Sequence, residues 1–569
     1  MKDQFPSSSS DDRIKELLSF IYPEEHENVF DSVKVLVEKW KNVDFPVFSW
    51  VDQGDVLLIA YGDAIRSEGE KRPLEVLKEF MDTEFRETIN LIHLLPMFPY
   101  TSDDGFSVTD FREINPALGT WDDIKALSQN YGLMFDAVVN HASRKSRYFE
   151  GFANGEEAFR DFFVTADPAA DYSSVLRTRT HPLLTETDTF EGKKFVWTTF
   201  SDDQVDFNYK NPKVLLEILD ILLLYASRGA RLIRLDAVGY IWKKLGTACV
   251  HLPQAHALIK LMRLVIQELA PGCSLITETN VPHRDNISYF GNGHDEAAMI
   301  YQFPLPPLVL FSFLTGNASH LSDWAASLEP VSADTTYFNF LASHDGIGMR
   351  PVEDILSAEE KELLAREALA RGGEINYRIL RDETRVPYEL NISYVDAIAA
   401  DAADDGERAQ KFMASQSILL SMMGMPAIYY HSLLGSRGDR EGFLSTGIKR
   451  RINRKKLEIR RTLAELRTEG HLRNLVSAEY KRLIAIRRSQ PCFHPNSPQR
   501  VCRLAPEVFS LCRGIGPGQI LFLVNVSGKE LTVNTGFPGF DLISGETCSE
   551  KTLLGPWQYR WIKVSTGQE

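Results

Sequence analysis

Leu232-Ile233-Arg234-Leu235-Asp236-Ala237-Val238 reads as a buried strand, and it decides the fold. A continuous apolar run broken by one cation and one carboxylate at a spacing of two suits a strand covered on both faces, because alternate residues share a side. Working outward, seven further runs of the same kind punctuate the chain, at 56–61, 89–95, 134–139, 274–277, 299–303, 336–342 and 427–430. Helical stretches separate them. Eight such units predict an α/β protein built on a parallel TIM (β/α)8 barrel over 51–496. Two separations are too long for a simple strand-helix unit, which places an insertion at 142–212 after strand three and another at 346–409 after strand seven. Residues 1–50 read as an N-terminal helical segment, with apolar residues at helical spacing from Asp12 to Val37. Short runs at 508–513, 519–526, 530–533 and 559–564 predict a small antiparallel β domain over 497–569.

Composition narrows the class. At 569 residues the chain is long enough for one large barrel with insertions, and 44% apolar residues with 36 Gly and 27 Pro exclude a disordered or fibrous protein. Lys and Arg number 63 against 78 Asp and Glu, a net charge of −15 that speaks against nucleic acid or an anionic membrane as partner. An anionic small molecule then needs a locally basic pocket. Six cysteines without a C-x-x-C pair indicate neither a metal knuckle nor a dense disulfide framework, so reduced thiols are expected. The N-terminus lacks the apolar core of a signal peptide, and the longest apolar stretch, 417–430, is broken by Ser421, Gly424 and Pro426. No membrane association and a cytoplasmic setting are expected.

The chemistry sits where the strands run out. Strand three carries Asp136 and ends in Asn140-His141, strand four carries Arg234 and Asp236, strand five ends in Glu278, and strand seven ends in His344-Asp345. Arg234 and Asp236 fall on one side of their strand, where the guanidinium can hold the carboxylate ionised and oriented. Paired carboxylates at barrel strand ends suit glycoside chemistry: one attacks the anomeric carbon, a second donates a proton to the leaving oxygen, and a third stabilises the oxocarbenium-like transition state. Taken singly, each of these residues also reads as a rim cap or salt-bridge member. Asp136, His141, Asp236, Glu278 and Asp345 have the donor types for a divalent ion, but no H-E-x-x-H or comparable local pairing accompanies them, so no metal is expected.

Asp136-Ala-Val-Val-Asn140-His141, Arg234-Leu-Asp236-Ala-Val-Gly, Glu278 and His344-Asp345 resemble the four signature regions of the α-amylase superfamily, in the same order along the chain. Phe98-Pro-Tyr-Thr-Ser-Asp103-Asp-Gly-Phe106 and Ile452-Asn453-Arg454 resemble the sucrose phosphorylase subfamily more than the amylases. Spanning about residues 50 to 560, the resemblance implies a barrel with an insert after strand three and a C-terminal β domain. It implies Asp236 as nucleophile, Glu278 as general acid/base and Asp345 as transition-state stabiliser, with no calcium or other cofactor. Asp103, Phe106, His141, Arg234, His344 and Arg454 would line the glucosyl pocket.

The resemblance further implies a retaining phosphorylase. An α-glucoside is cleaved through a covalent β-glucosyl intermediate, inorganic phosphate replaces water, and α-glucose 1-phosphate is released, with the two working carboxylates roughly 5 to 5.5 Å apart. Two departures bear on the acceptor: Asn280 stands where sucrose phosphorylases carry a histidine, and Glu389 where they carry a glutamine. Stretches such as Trp197–Gln204, Tyr301–Leu310 and Phe340–Gly346 most resemble members acting on glucosylglycerate, with glucosylglycerol, sucrose 6′-phosphate and sucrose as alternatives. Phosphate binding calls for Arg, Lys or backbone N–H donors. Within the first insert, Arg177, Arg179 and His181 are candidates, and Arg179 matches by position a phosphate-contacting arginine of the subfamily; Tyr388 and Glu389 would border the acceptor space. Lys243-Lys244 follows the nucleophile strand within reach of the acceptor, but a lysine pair at the start of a helix reads rather as solvent-facing, and Met97 and Trp242 read as packing residues. A hydrolase or transglucosidase would use the same three carboxylates, and a non-catalytic barrel would be expected to have lost one. The oligomer is expected to be a monomer or homodimer.

Overall fold

The eight apolar runs close into one parallel barrel. A computed structural model describes residues 9–177, 179, 181–379, 384–516 and 518–564. The barrel strands are β1 (Leu57–Ala60), β2 (Leu91–Leu94), β3 (Gly132–Val138), β4 (Ala230–Asp236), β5 (Ser274–Thr277), β6 (Met299–Tyr301), β7 (Thr336–Asn339) and β8 (Met425–Tyr429). Neighbours follow chain order and β1 closes on β8. Helices such as Pro212–Ser227 and Pro253–Leu269 cover the outside, each opening on a proline whose fixed φ suits the first helical turn. Asp136 lies in register with Arg234 between β3 and β4, and Arg234 with Ile276 between β4 and β5. That register puts an acid, a base and a further strand end side by side before any side chain is considered.

β7 is shorter than the sequence reading. Its ladder stops with Asn339 opposite Pro426, which has no N–H to offer, so 340–343 run on as irregular chain before His344-Asp345.

The chain forms two compact units. One comprises Met1–Trp50, Leu94–Thr279 and Ile287–Ile300; the other comprises Val51–His93, Asn280–Asn286 and Tyr301–Glu569. In the first, the helical span expected from Asp12 to Val37 is two helices, Ser10–Ile21 and His26–Trp40, because Pro23 cannot continue a helix. Ile14, Leu18 and Val33 are fully buried there. The insert after β3 folds around an aromatic cluster in which Tyr148 stacks on Phe162 at 5.9 Å and Phe163 on Phe207 at 5.3 Å.

In the second unit, Gln499–Val501, Val508–Arg513, Ile520–Asn525, Tyr559–Val564, Gly539–Asp541 and Thr547–Cys548 form a sheet in that order, antiparallel throughout. Leu531–Asn534 pairs separately with Lys551–Leu554. The short strands at 547–548 and 551–554 escaped the sequence reading because two to four residues are too few for an alternation to stand out. All six cysteines are unpaired, the Cys502 and Cys512 sulfurs lying 3.5 Å apart. Among the described residues no helix is long and apolar enough to cross a membrane.

Trp561 anchors the sheet to the helix Asp405–Ser421. Fully buried, it packs on Phe493 at 4.9 Å and donates its indole N–H to Ser421 Oγ at 2.7 Å. Trp561→Ala is expected to cost about 3–5 kcal/mol of stability, read as a lower denaturant midpoint. Trp561→Phe, which keeps an aromatic ring, should cost visibly less.

Candidate active site

Arg234 is the centre of the first cluster. Its side chain is 4% exposed; one terminal nitrogen pairs with Asp136 and, at 2.8 Å, with Asp236, and the other lies 3.9 Å from Glu278. The guanidinium also sits over the Phe106 ring, 5.7 Å from its centroid. Immediately past β4 the chain turns through Ala237 at φ 51°, a left-handed conformation that costs a non-glycine residue energy and marks a constrained position. The turn aims the Ala237 N–H at Glu278 Oε2, 3.1 Å away. Asp236 and Glu278 are thus fixed from two sides, by the guanidinium and by the backbone.

Beneath this cluster lies a buried polar relay. Lys243 Nζ is 2.5 Å from Asp206 Oδ2 and donates to Asn140 Oδ1 at 2.8 Å; the Asn140 amide donates to Asp206 at 3.0 Å and to His141 Nδ1 at 3.2 Å. Because Lys donates only and a carboxylate accepts only, the amide orientation follows. His141 therefore carries its proton on Nε2, which donates to the Phe106 carbonyl at 3.0 Å. The sequence reading of Lys243 as solvent-facing is wrong: it is 7% exposed, and only Lys244 faces solvent. Periodicity carries no signal for this, since the partner, Asp206, is remote in sequence and brought near by the antiparallel pairing of His141–Ser143 with Gln204–Asp206. Met97 and Trp242 are buried, as expected.

Asp103 sits in a tight turn, with Asp103 and Asp104 both at positive φ, which Asp tolerates better than most residues. Asp203 ties this loop down, accepting from Thr101, Ser102 and Ser107 hydroxyls at 2.6, 2.5 and 2.6 Å. Burial alone would raise the Asp203 carboxyl, but these hydroxyl bonds outweigh it and hold it below the usual range. Arg179 lies with its guanidinium 5.9 Å from the Phe200 ring centroid, and Phe200 in turn packs against His141 at 5.4 Å. Its neighbours Thr178 and Thr180 lie outside the described residues.

The second unit holds a matching cluster. Asp345 Oδ1 is 2.7 Å from Arg450, 3.4 Å from Arg454 and 3.5 Å from His344 Nε2. Arg454, 2% exposed, donates its Nε–H to the His344 carbonyl at 2.9 Å. The other terminal nitrogen of Arg450 reaches Glu389 Oε1 at 2.9 Å. Glu389 is 3% exposed and accepts further from Asn376 Nδ2 at 2.7 Å and the Gly346 N–H at 3.1 Å. Tyr388 is the extra residue of an irregularity in the Arg385–Asn391 strand, where Glu389 faces Asn376 and Pro387 faces Tyr377. Bulges of this kind re-aim side chains beside functional sites. Arg450 and Asn376 escaped the sequence reading. The signal was present in Lys449-Arg450-Arg451, a basic run against the chain's overall sign. Among the described residues no group of three or more His, Cys, Asp or Glu is arranged to hold a metal ion; the cation among these carboxylates is arginine.

A family model described as alpha amylase, catalytic domain, matches residues 88–353. A glucosylglycerate phosphorylase of Allomeiothermus silvanus is 48% identical over 510 residues, covering 89% of this chain and 91% of its own length. Another, of Spirochaeta thermophila, is 46% identical over 529 residues, covering 91% and 90%. The chain belongs to the glucosylglycerate phosphorylase family, within the α-amylase superfamily. The family's fold is seen in the crystal structure of sucrose 6F-phosphate phosphorylase from Thermoanaerobacter thermosaccharolyticum, which is similar with a TM-score of 0.74 at 22% identity, covering 88% of this chain and 98% of that one. In this family member, Asp136, Asn140, His141, Arg234, Asp236, Glu278, His344 and Asp345 of the clusters just described lie in the segments whose sequence suggested the superfamily.

Two outcomes follow. Lys243→Met strands the buried Asp206 carboxylate without its cation and should cost about 3–5 kcal/mol, measured by denaturant unfolding, whereas Lys244→Met should stay within about 0.5 kcal/mol of the parent. Burial holds the His141 imidazole below the usual range although Asp206 pulls it up, and burial pushes His283 down to about 4. In the unfolded chain both return to about 6.5. Their contribution is therefore complete above about pH 6.5 and is lost as the pH falls towards 4. The unfolding midpoint should decline over that window, and less steeply in His283→Asn.

Proposed function

We propose that this chain catalyses the phosphorolysis of glucosylglycerate: glucosylglycerate and inorganic phosphate give α-glucose 1-phosphate and glycerate, with net retention. The observation that carries the reading is the Arg234 clamp on Asp236 and Glu278, in a chain nearly half identical over most of its length to proteins of that name. The donor set suits double displacement. Asp236 attacks the anomeric carbon while Glu278 protonates the departing oxygen, so the C–O bond breaks, glycerate leaves and a β-glucosyl ester forms. A phosphate oxygen then attacks the same carbon, Asp236 departs as carboxylate, and any proton lost by phosphate passes to Glu278. Asp345 stabilises the positive charge that develops on the sugar in both steps.

The remaining residues bind. Asp103 and Arg454 hold the outer glucose hydroxyls, His344 the inner ones, and Phe106 covers the sugar face. His141 is held by its two hydrogen bonds, to Asn140 and Phe106, and acts as a fixed wall more than as a mobile donor. Phosphate is taken up by Arg179, which lies beside Phe200 in the insert, and Tyr388 and Glu389 border the acceptor. Arginine suits this task because its fork matches an oxyanion in pairs of hydrogen bonds. The reading places a cytoplasmic enzyme on small anionic substrates.

With glucosylglycerate, the protein should form glucose 1-phosphate only when phosphate is present; free glucose in equal amounts with and without phosphate would show a hydrolase instead. Asp236→Asn should lower kcat on the order of 10^4-fold or more. Arg179→Ala should raise the KM for phosphate about ten- to hundredfold, the worth of one charge-assisted contact, and change hydrolysis of the same glucoside far less. Equal losses in both reactions would count against Arg179 as the phosphate residue.

A further inference from the structure

The loop that carries Asp103 and Phe106 is gripped on both arms by one carboxylate from the insert. Between Pro99 and Thr109 the chain after β2 doubles back on itself: Tyr100 and Val108 form an antiparallel bridge, the Thr101 N–H donates to the Ser107 carbonyl at 3.1 Å, and the Thr109 N–H donates to the Pro99 carbonyl at 2.8 Å. The tip is strained. Asp103, Asp104 and Gly105 follow one another at φ 51°, 50° and 116°, and successive non-glycine residues persist in the left-handed region only where their surroundings over-determine them. The tip also has no room to shift inward, since a Cβ at Gly105 would meet the Pro96 carbonyl oxygen at 2.8 Å.

Asp203 supplies that support. Its Oδ2 accepts from the Thr101 and Ser102 hydroxyls on one arm, at 2.6 and 2.5 Å, and from the Ser107 hydroxyl on the other, at 2.6 Å. Hydrogen bonds to a charged acceptor are the strong kind, and three on one oxygen draw the arms together at a single point. The support is itself anchored: the Arg144 N–H donates to the Asp203 carbonyl at 3.0 Å, and the residues that follow, Gln204–Asp206, pair with His141–Ser143. Gln204 adds a contact nearer the tip, its side-chain amide donating to the Phe106 carbonyl at 3.2 Å. The Phe106 ring in turn lies over Arg234, which pairs with Asp236. Contacts therefore run from the insert through the loop to the end of β4, all within the first unit. Asp202, of the same residue type and next in the chain, is exposed.

We infer that Asp203 is a positioning residue for the glucosyl group: by drawing Thr101, Ser102 and Ser107 onto one carboxylate oxygen it holds Asp103 and Phe106 in place before substrate arrives, a role that rests on the phosphorolysis reading above. A wall that is already ordered spares the substrate the cost of ordering it. Loosening it therefore weakens both glucosyl donors, glucosylglycerate in one direction and glucose 1-phosphate in the other, and leaves phosphate and glycerate, which do not meet that wall, bound as before.

The test compares Asp203→Ala, Asp203→Glu and Asp202→Ala in the full chain, with the reaction run in both directions. Asp203→Ala should raise the KM for glucosylglycerate and for glucose 1-phosphate about five- to fiftyfold, and change the KM for phosphate and for glycerate less than about threefold. Asp203→Glu, which keeps a carboxylate, should recover part of the loss, and Asp202→Ala should match the parent. Amide hydrogen exchange across residues 100–109 should quicken in Asp203→Ala and not in Asp202→Ala. Should Asp203→Ala fail to fold, Asp203→Asn, of the same shape but with one acceptor oxygen, carries the same expectations. A merely structural role would lower the unfolding midpoint and leave the donor KM unmoved; that result, a joint rise of the donor and phosphate KM, or unchanged exchange across 100–109 overturns the assignment of Asp203 alone. A parent that forms no glucose 1-phosphate from glucosylglycerate and phosphate overturns the phosphorolysis reading and the role of Asp203 with it.

Discussion

One guanidinium against three carboxylates, in a space largely closed to water, is the constraint the first unit is built around. A buried ion pair is tolerable only with good geometry and further hydrogen bonds, since taking charges out of water is expensive. Arg234 meets Asp136 and Asp236 directly and leaves Glu278 at 3.9 Å. Supporting that arrangement requires the parallel register that sets Asp136 opposite Arg234, the left-handed turn at Ala237 that supplies a backbone donor to Glu278, and the Lys243–Asp206–Asn140–His141 relay below. Each is a positional requirement, so the cluster specifies the strand ends as much as the strands specify the cluster.

The second unit repeats the device with different partners. Arg450 bridges Asp345 and Glu389, and Arg454 holds the chain at His344 from behind. In both clusters a carboxylate is oriented by an arginine. The −15 net charge is compatible with anionic substrates for the same reason: what matters at short range is the sign of the few groups that are desolvated, because exposed charges farther off are screened.

What was legible in the sequence was legible for a physical reason. Barrel strands buried on both faces must be nearly all apolar, so Leu232–Val238 and its seven counterparts stand out, and an acid or arginine inside such a run is conspicuous because burying it is costly. That exposed Asp136, Arg234, Asp236 and Glu278. Lys243, Arg450 and Asn376 were not legible because their meaning depends on partners far away in sequence: Asp206, Glu389 and Asp345 come to them only through the fold. A lysine pair after a strand reads as solvated until the partner is seen. The end of β7 failed for a local reason, the missing N–H of Pro426, which takes effect only once the register is known.

Glu389 shows how two sequence features that look independent must be read together. A carboxylate where the resemblance expects a glutamine adds a negative charge beside a site proposed to receive phosphate and a carboxylic acid, and alone it would repel both. The structure buries it at 3% exposure and surrounds it with the Arg450 fork, the Asn376 amide and the Gly346 N–H. Three donors on one carboxylate fix its position, and the arginine cancels its charge at contact distance. The basic run at 449–451 and the substitution at 389 are therefore two halves of one arrangement. A glutamine at 389 would leave the arginine with one carboxylate partner fewer.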